Sequence, residues 1–210
     1  MNKNFIIKEI IEWTFCIVIA VAIALLIKFF LITPTIVQQT SMYPTLVHNQ
    51  RLLLNRFIRT AKKTPERGEI ITFEAPDSYN SISNENPMAT YDNEPEGLWS
   101  KFCYYVLEIN KQSYIKRVIG LPGEEIRIEN GKVYINDKEL EEDYLVDGVT
   151  TSLQNEELNH FIVPDESVFV MGDNRRDSVD SRTFGCIPIS KIEGSVILRF
   201  WPLNAFGTVK

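Results

Sequence analysis

The longest apolar run in the chain lies close to its start. Residues 13–27 contain no charged side chain, and apolar character resumes after Lys28 through residues 29–32. A helix of about 20 residues is long enough to cross a hydrocarbon core of about 30 Å. A lysine near one end of such a helix can extend its ammonium group to the membrane surface. The pattern therefore predicts a transmembrane helix over residues 13–32, stopped by Pro34, which lacks a backbone donor.

Two other interpretations of this run are weaker. A cleaved signal peptide would have a shorter apolar core. Ala22 and Ala24 resemble its A-x-A cleavage site, but the apolar run continues beyond them, and Glu9 and Glu12 interrupt the basic start. A buried helix of a soluble protein would show a polar face within so many residues. The sequence therefore favours an uncleaved membrane span.

The flanks of the run predict its orientation. Lys3, Lys8 and the amino terminus precede it, whereas the first charged residue after Lys28 is Arg51. The positive-inside rule then places residues 1–12 in the cytoplasm and residues 33–210 outside. We expect a single-pass protein of the cell membrane, with its folded domain on the outer side.

Beyond the span, apolar positions follow the pattern of short strands. Runs rich in Ile, Val, Phe and Tyr occur at residues 69–73, 114–119, 125–128, 132–135, 167–171 and 195–200. Asn130-Gly131 joins two of them and is a strong hairpin signal, because both turn positions need positive φ. Asn, Ser, Glu and Pro dominate residues 77–96, so we expect an irregular insertion over residues 77–110. The predicted fold class is mainly β, an N-terminal transmembrane helix followed by a β-rich domain.

Composition and charge narrow the class of function. The chain has 210 residues, of which 44% are hydrophobic and 24% charged, as in an ordinary folded protein. Its net charge of −6 argues against a nucleic-acid partner. Only two histidines are present, and the three cysteines form no CxxC pair, so we expect no zinc site and no histidine-rich metal centre. Cys103 and Cys186 could pair in an oxidising exterior or remain thiols.

Ser41 and Lys116 are the candidate reactive residues. A serine hydroxyl is a poor nucleophile unless a base removes its proton. On the strand predicted over residues 114–119, Lys116 shares a face with an aromatic and a β-branched side chain, which would exclude water from its ammonium group. Desolvation lowers a lysine pKa, so a neutral amine could take the Ser41 proton. An exposed strand lysine, and a triad using His48 or His160, stay open at this point.

Four segments resemble the sequence boxes of type I signal peptidases, the Ser/Lys proteases that remove signal peptides. Residues 41–46 are similar to the box S-M-x-P-T-L, and residues 67–73 to R-G-D-[IV]-V-x-F. Residues 114–124 are similar to Y-[IV]-K-R-[VI]-[IV]-G-x-P-G-D, and residues 172–182 to G-D-N-R-x-x-S-x-D-S-R. The four segments follow one another in the order of the family boxes. The resemblance covers nearly the whole chain except the insertion. The single span and the short connection between the third and fourth boxes are similar to the Gram-positive type.

The resemblance implies a role for each matching residue. Ser41 corresponds to the nucleophile, Lys116 to the general base and Ser178 to the hydroxyl that orients the lysine amine. A supporting salt-bridged pair corresponds to Asp180 and Arg182. The walls of shallow pockets for small substrate side chains correspond to Met42, Leu46, Tyr114 and Ile115. The implied substrates are exported preproteins, cleaved after an A-x-A-like site without a metal or cofactor.

Glu69 and Glu124 replace the Asp of the family boxes, which are mild changes, and one departure lies next to the proposed chemistry. The residue two before the nucleophile is often Ser or Gly, whose hydroxyl or backbone helps to form the oxyanion hole, and here it is Gln39. The Gln39 amide is a candidate donor beside the Ser41 backbone N–H, and a missing donor would cost several kcal/mol of transition-state stabilisation. The alternative function is a non-catalytic, membrane-anchored assembly factor or chaperone with the same fold. The presence of both Ser41 and Lys116 argues against it.

Overall fold

The computed structural model describes residues 3–78, 82–155 and 158–209, with side chains from residue 7 onward. The helices in these ranges are α1 (Lys3–Phe30), α2 (Phe57–Thr60), α3 (Leu98–Tyr105) and α4 (Ser181–Phe184). The strands are β1 (Ile32–Ile36), β2 (Arg51–Asn55), β3 (Ile70–Glu74), β4 (Ser113–Gly120), β5 (Glu125–Glu129), β6 (Lys132–Ile135), β7 (Lys138–Glu139), β8 (His160–Ile162), β9 (Ser167–Met171), β10 (Ile187–Pro188) and β11 (Ile192–Trp201). The predicted mainly β fold class is confirmed.

The N-terminal helix α1 stands away from the rest of the chain. It has a mean hydropathy of 2.7 over Ile7–Phe30, and none of that stretch is buried. By length and composition it is able to cross a membrane. It ends at Phe30, two residues before the predicted end, because the chain enters β1 at Ile32. Pro34 therefore lies inside a strand and does not stop the helix, and the edge position of β1 tolerates its missing donor.

The larger sheet carries Lys116, which lies on β4. Its seven strands lie in the order β1-β2-β11-β3-β4-β9-β10, and all neighbours are antiparallel. The runs predicted at 69–73, 114–119, 167–171 and 195–200 are confirmed as strands of this sheet. Strand β4 changes neighbour along its length, pairing with β3 over residues 113–117 and with β9 over residues 117–120. Among the described residues, no strand covers the second edge of β4 at 113–116.

The smaller sheet has four strands in the order β7-β6-β5-β8. The hairpin predicted between β5 and β6 is confirmed, with φ of 51° at Asn130 and 80° at Gly131. Side chains from both sheets meet in one main core, in which Phe73, Val118 and Phe169 are completely buried. The smaller sheet therefore supports β4 and β9 from behind.

The segment predicted as an irregular insertion is only partly irregular. It contains the two-turn helix α3, which the sequence interpretation missed, and it packs onto the sheets through short bridges such as Met88 with Cys186. Cys186 is buried, and it and Cys103 are both free thiols, so the possible disulfide is not formed. The insertion is thus a folded appendage of the β-rich domain.

Candidate active site

Ser41 lies in a turn that follows β1. The turn is closed by backbone hydrogen bonds from Tyr43 N–H to the Thr40 carbonyl, 3.0 Å, and from Leu46 N–H to the Met42 carbonyl, 2.8 Å. The Met42 and Leu46 side chains fill a small second core beside β2 and β11. These contacts fix the backbone of Ser41, which is buried, with 5% of its surface exposed.

Lys116 reaches Ser41 from the middle of β4. Its Nζ atom lies 2.7 Å from Ser41 Oγ, across 75 positions of sequence. The residue is 1% exposed, and its Nζ lies 5.5 Å from the centre of the Tyr114 ring, on the strand face that the alternation predicts. The structure therefore places the two candidate reactive groups within hydrogen-bond distance in a dry environment.

Burial changes the protonation chemistry of this lysine. Desolvation disfavours the charged ammonium and lowers the pKa of Lys116 to about 8, while the nearby carboxylates of Asp180 and Asp173 partly oppose the shift and the Arg182 guanidinium adds to it. Near neutral pH a useful fraction of the side chain is a neutral amine. In that form the nitrogen can accept the Ser41 hydroxyl proton, as a general base must.

The fourth box forms the wall behind the lysine. Asp180 and Arg182 are completely buried and joined by two side-chain hydrogen bonds of 2.8 Å, the supporting pair that the resemblance implies. Asp180 also caps α4 and accepts a hydrogen bond of 3.0 Å from Gly172 N–H. Asn174 lies two residues after Gly172 in the same loop, and its N–H donates to the Ser41 carbonyl at 3.0 Å. The salt bridge therefore stabilises the loop that holds the serine backbone.

Ser178 lies in this wall, but its hydroxyl does not bond to the lysine. Its Oγ is buried and has no hydrogen-bond partner among the described residues. It packs so closely against Gly172 that a Cβ there would overlap both Ser178 Oγ and the Ser41 carbonyl oxygen. A buried hydroxyl without a hydrogen-bond partner costs free energy. The structure thus brings Ser178 to the site without the orienting hydrogen bond.

One buried ion pair at the site was missed by sequence reasoning. Arg117 donates to both oxygens of Asp173, at 2.8 and 2.7 Å, and Thr45 Oγ1 donates to the same carboxylate at 2.5 Å. These contacts join the first, third and fourth boxes. The only signal in the sequence was an arginine next to the candidate lysine on a strand, which does not identify its partner. Arg175, in the same turn as Asp173, pairs with Glu142 instead.

Two connected grooves flank the serine. One, of about 340 Å³, is lined by Gln39, Ser41, Tyr114, Asp177 and Val179. The other, of about 260 Å³, continues along residues 35–39 and the start of β4, where it is lined by Tyr114 and Ile115. A larger cavity, of about 1030 Å³, opens elsewhere and contains neither Ser41 nor Lys116. The grooves therefore follow the uncovered edge of β4.

The predicted substrate-binding residues separate into two groups. Tyr114 and Ile115 line the grooves beside the serine, together with Gln39, the candidate oxyanion donor. Met42 and Leu46 are 0% exposed, and they form the floor under the serine turn instead of an open wall. This placement follows from the local fold, because the tight turn at 41–46 must bury its apolar side chains against the sheet.

The histidines take no part in the site. His48 Nδ1 lies 2.8 Å from the Gln38 carbonyl oxygen, and His160 pairs with Glu125 on the small sheet. The Ser41 hydroxyl is bonded to Lys116 and not to an imidazole. Within the ranges that the structure describes, no group of three or more His, Cys, Asp or Glu side chains could hold a metal ion.

Ser41 and Lys116 form a buried pair on the edge of a β-rich domain, beside an extended groove, an arrangement compatible with the class of serine peptidases. Residues 10–201 match the family described as "Signal peptidase, peptidase S26". The chain belongs to this family, and within it resembles the type I signal peptidases.

The curated relatives agree along almost the full chain. "Signal peptidase I S" of Bacillus subtilis is 32% identical over 204 residues, covering 94% of this chain and 92% of the relative. "Signal peptidase IB" of Staphylococcus aureus is 30% identical over 212 residues, covering 95% and 93%. A crystal structure of a signal peptidase I from Enterococcus faecalis, 29% identical, aligns over 63% of this chain and 97% of that chain with a TM-score of 0.41. The family assignment rests on the sequence matches.

Proposed function

We propose that the chain is a membrane-anchored type I signal peptidase that cleaves exported preproteins after an A-x-A-like site, with Ser41 as nucleophile and Lys116 as general base. The observation that carries the assignment of roles is the 2.7 Å contact between Lys116 Nζ and Ser41 Oγ in a buried setting. Family membership supports signal-peptide removal as the activity.

The mechanism follows from these two groups. The neutral amine of Lys116 takes the Ser41 proton while Oγ attacks the scissile carbonyl carbon, and the ammonium then gives that proton to the leaving nitrogen. The signal peptide remains as an ester on Ser41. Lys116 next takes a proton from a water molecule, which attacks the ester carbonyl carbon; the bond to Ser41 Oγ breaks, the ammonium returns the proton to Oγ, and the signal peptide leaves with a free carboxylate. We assign stabilisation of the oxyanion to the Ser41 backbone N–H and the Gln39 side-chain amide.

The substrate is proposed to bind as an added strand. Within the described ranges, β4 at 113–116 has no strand neighbour on the edge away from β3, and residues 35–39 form the facing wall of the groove. An extended peptide placed between these two segments would gain main-chain hydrogen bonds, while side-chain space limits what fits at alternate positions. The Tyr114 ring narrows the groove next to Ser41, which supports a preference for small side chains at the cut.

The same proposal sets the arrangement in the membrane. Helix α1 has the length and apolarity of a span, with lysines on the N-terminal side. We assign residues 1–12 to the cytoplasm, residues 13–32 to the bilayer and residues 33–210 to the outer side, following the positive-inside rule. Enzyme and preprotein would then share the plane of one membrane, and the scissile bond would emerge close to the groove.

A cleavage assay tests the activity. We expect the full-length protein in proteoliposomes to shorten a secretory preprotein, and N-terminal sequencing of the product to locate the cut after A-x-A. Ser41→Ala, which removes only the attacking oxygen, is expected to give no product. If the folded native protein cleaves none of several preproteins, the non-catalytic assembly role becomes the better description.

The pH dependence tests the lysine base. Only the neutral amine of Lys116 is active, and its pKa is lowered to about 8. We therefore expect kcat/KM for a soluble peptide to rise about tenfold per pH unit well below pH 8 and to level off above it. Steady-state rates from roughly pH 6 to 10 measure this. A flat profile, with the fold intact by circular dichroism, would contradict the assignment.

The lowered pKa of Lys116 also makes the free energy of unfolding depend on pH in a known direction. Between about pH 8 and the ordinary lysine pKa of 10.5, the unfolded chain binds a proton at Lys116 that the folded chain has lost. Relative to a Lys116→Met variant, the free energy of unfolding of the native protein should therefore rise over this range. Below pH 8 the difference between the two proteins should stay constant, which separates this effect from general charge repulsion.

A further inference from the structure

Helix α3 carries an apolar face that the proposed activity does not use. We propose that this face, formed by Leu98, Trp99 and Phe102, lies in the headgroup interface of the bilayer that α1 crosses. The proposal rests on the membrane anchoring proposed above and adds a second, peripheral membrane contact from the insertion. Its occupant is the phospholipid surface.

The exposed side of α3 is unusually apolar. Leu98 is 91% exposed, Trp99 74% and Phe102 37%, and none of the eight residues of the helix is buried. The spacing of three and four residues puts these side chains on one side of the helix, where the Trp99 and Phe102 rings stack with centroids 5.6 Å apart. Contiguous apolar surface of this kind marks an interaction site.

The C-terminal end of α3 is fixed to the catalytic domain. Lys111 Nζ lies 5.3 Å from the centres of both the Tyr104 and the Tyr105 rings. The same nitrogen forms ion pairs with Glu193 on β11, 2.7 Å, and Glu74 on β3, 3.5 Å, and the Lys111 side chain is nearly buried. The helix therefore cannot turn its apolar face inward without breaking this cluster.

Several contacts place the end of α3 beside the end of α1. Glu108, three residues after the helix, pairs with Lys28 in the last turn of α1 at 3.0 Å, and also with Arg56. Arg59 donates to the Phe29 carbonyl at 2.8 Å. Eight helical residues extend about 12 Å. The headgroup region adds about 5–7 Å on each side of the hydrocarbon core, so a helix that starts there and lies along the surface stays within it.

The chemistry of the surroundings fits phospholipid. Trp and Phe are enriched at membrane interfaces, where an apolar ring lies near polar headgroups. Phe57 on neighbouring α2 is 59% exposed and extends the apolar surface around α1. Lys101 within α3, and Lys62 and Lys63 after α2, are exposed cations that can meet phosphate groups. Apolar side chains and flanking cations together are the pattern of an interfacial helix.

Such a contact would set the position of the groove. Lys111, which holds α3 to the sheet, also lines the far end of the groove next to Ser113. With α1 as the first attachment and α3 as the second, the domain can neither rotate about the span nor move away from the membrane. The groove would then meet a membrane-inserted preprotein at a constant height.

Tryptophan quenching tests the proposal in the full-length protein. Trp13, Trp99 and Trp201 are the three tryptophans, so replacing two of them by Phe leaves a single reporter. In proteoliposomes made with lipids brominated near the headgroup, we expect sole Trp99 to be quenched to an extent similar to sole Trp13 in α1. A matched control replaces all three by Phe and introduces Ile162→Trp, an exposed site on the small sheet, which should keep its emission.

The outcomes separate this proposal from membrane anchoring itself. Quenching of Trp13 without quenching of Trp99 overturns the interfacial role of α3 and leaves the span in place. No quenching of Trp13 overturns the anchoring on which the proposal rests. A Trp99 signal that depends on protein density and not on bromine would indicate a second copy as the occupant, and would also overturn it.

Activity provides an independent readout. We expect the combined variant Leu98→Ser, Trp99→Ser and Phe102→Ser to cleave a short soluble peptide at the native rate, because these side chains are exposed and line neither groove at the serine. Cleavage of a membrane-inserted preprotein should slow about tenfold, as for a misplaced substrate. Equal rates on the inserted preprotein would contradict the positioning role, whereas loss of peptide cleavage would show that these side chains support the catalytic site directly and would also contradict it.

Discussion

The Lys116→Ala variant is expected to lose cleavage by about 10³–10⁴-fold in kcat while keeping its affinity for a peptide substrate. The substitution removes the group 2.7 Å from Ser41 Oγ, and the described residues offer no histidine in its place. General-base catalysis is worth about 10²–10⁴-fold, and a dyad without its base loses most of its nucleophilicity. Single-turnover cleavage of a fluorogenic peptide measures the effect.

Two further variants make the result specific. Lys116→Arg keeps a cation of similar reach that does not deprotonate, so we expect it to be as inactive as the alanine variant. Lys191→Ala removes another largely buried lysine, paired with Glu74 and Glu94, and should leave the peptide cleavage rate unchanged. Native-like activity of Lys116→Arg would show that the lysine acts by charge and not as a base.

The second large effect is on stability. Asp180→Ala is expected to lower the free energy of unfolding by about 3–5 kcal/mol, because it leaves the guanidinium of Arg182 fully buried without its counter-charge. It also removes the cap of α4 and the acceptor for Gly172 N–H. Chemical denaturation of the full chain in detergent micelles, followed by fluorescence, measures the change.

Its matched control is a salt bridge at the surface. Arg127 pairs with Asp137, whose side chain is mostly exposed, and Asp137→Ala should change the free energy of unfolding by about 0.5 kcal/mol or less. Replacing both buried partners, as Asp180→Leu with Arg182→Met, should be less damaging than Asp180→Ala alone, because no unpaired charge remains. A double variant less stable than Asp180→Ala would point to the other hydrogen bonds of the pair as the main contribution.

Much of the sheet could be predicted from local patterns. The hairpin at Asn130-Gly131 and strand β6 follow from turn chemistry and β-branched residues that are adjacent in sequence. Strand β1 was missed because its apolar residues continue the run of the span, and Pro34 hides an edge strand. The helix α3 was missed because Gly and Pro precede it and it is only two turns long.

The candidate site was less accessible to such reasoning. The alternation of β4 predicts a desolvated Lys116, and the resemblance of four boxes supplied Ser41 as its partner. Local patterns do not predict contacts between residues that are far apart in the sequence. Arg117 and Asp173 are separated by 56 positions, and Thr45 and Asp173 by 128. The depth of Met42 and Leu46 depends in the same way on where β2 and β11 lie beneath the turn.

The shortness of the uncovered edge of β4 bears on how long a peptide stays bound. Only residues 113–116 are available before β9 closes the edge at Arg117. Four residues allow few main-chain hydrogen bonds, each worth about 0.5–1.5 kcal/mol net, so the residence time of a cleaved signal peptide is expected to be brief. A longer edge would hold its product and would also invite pairing with other chains. The strand neighbour at Arg117 thus favours rapid turnover over tight binding.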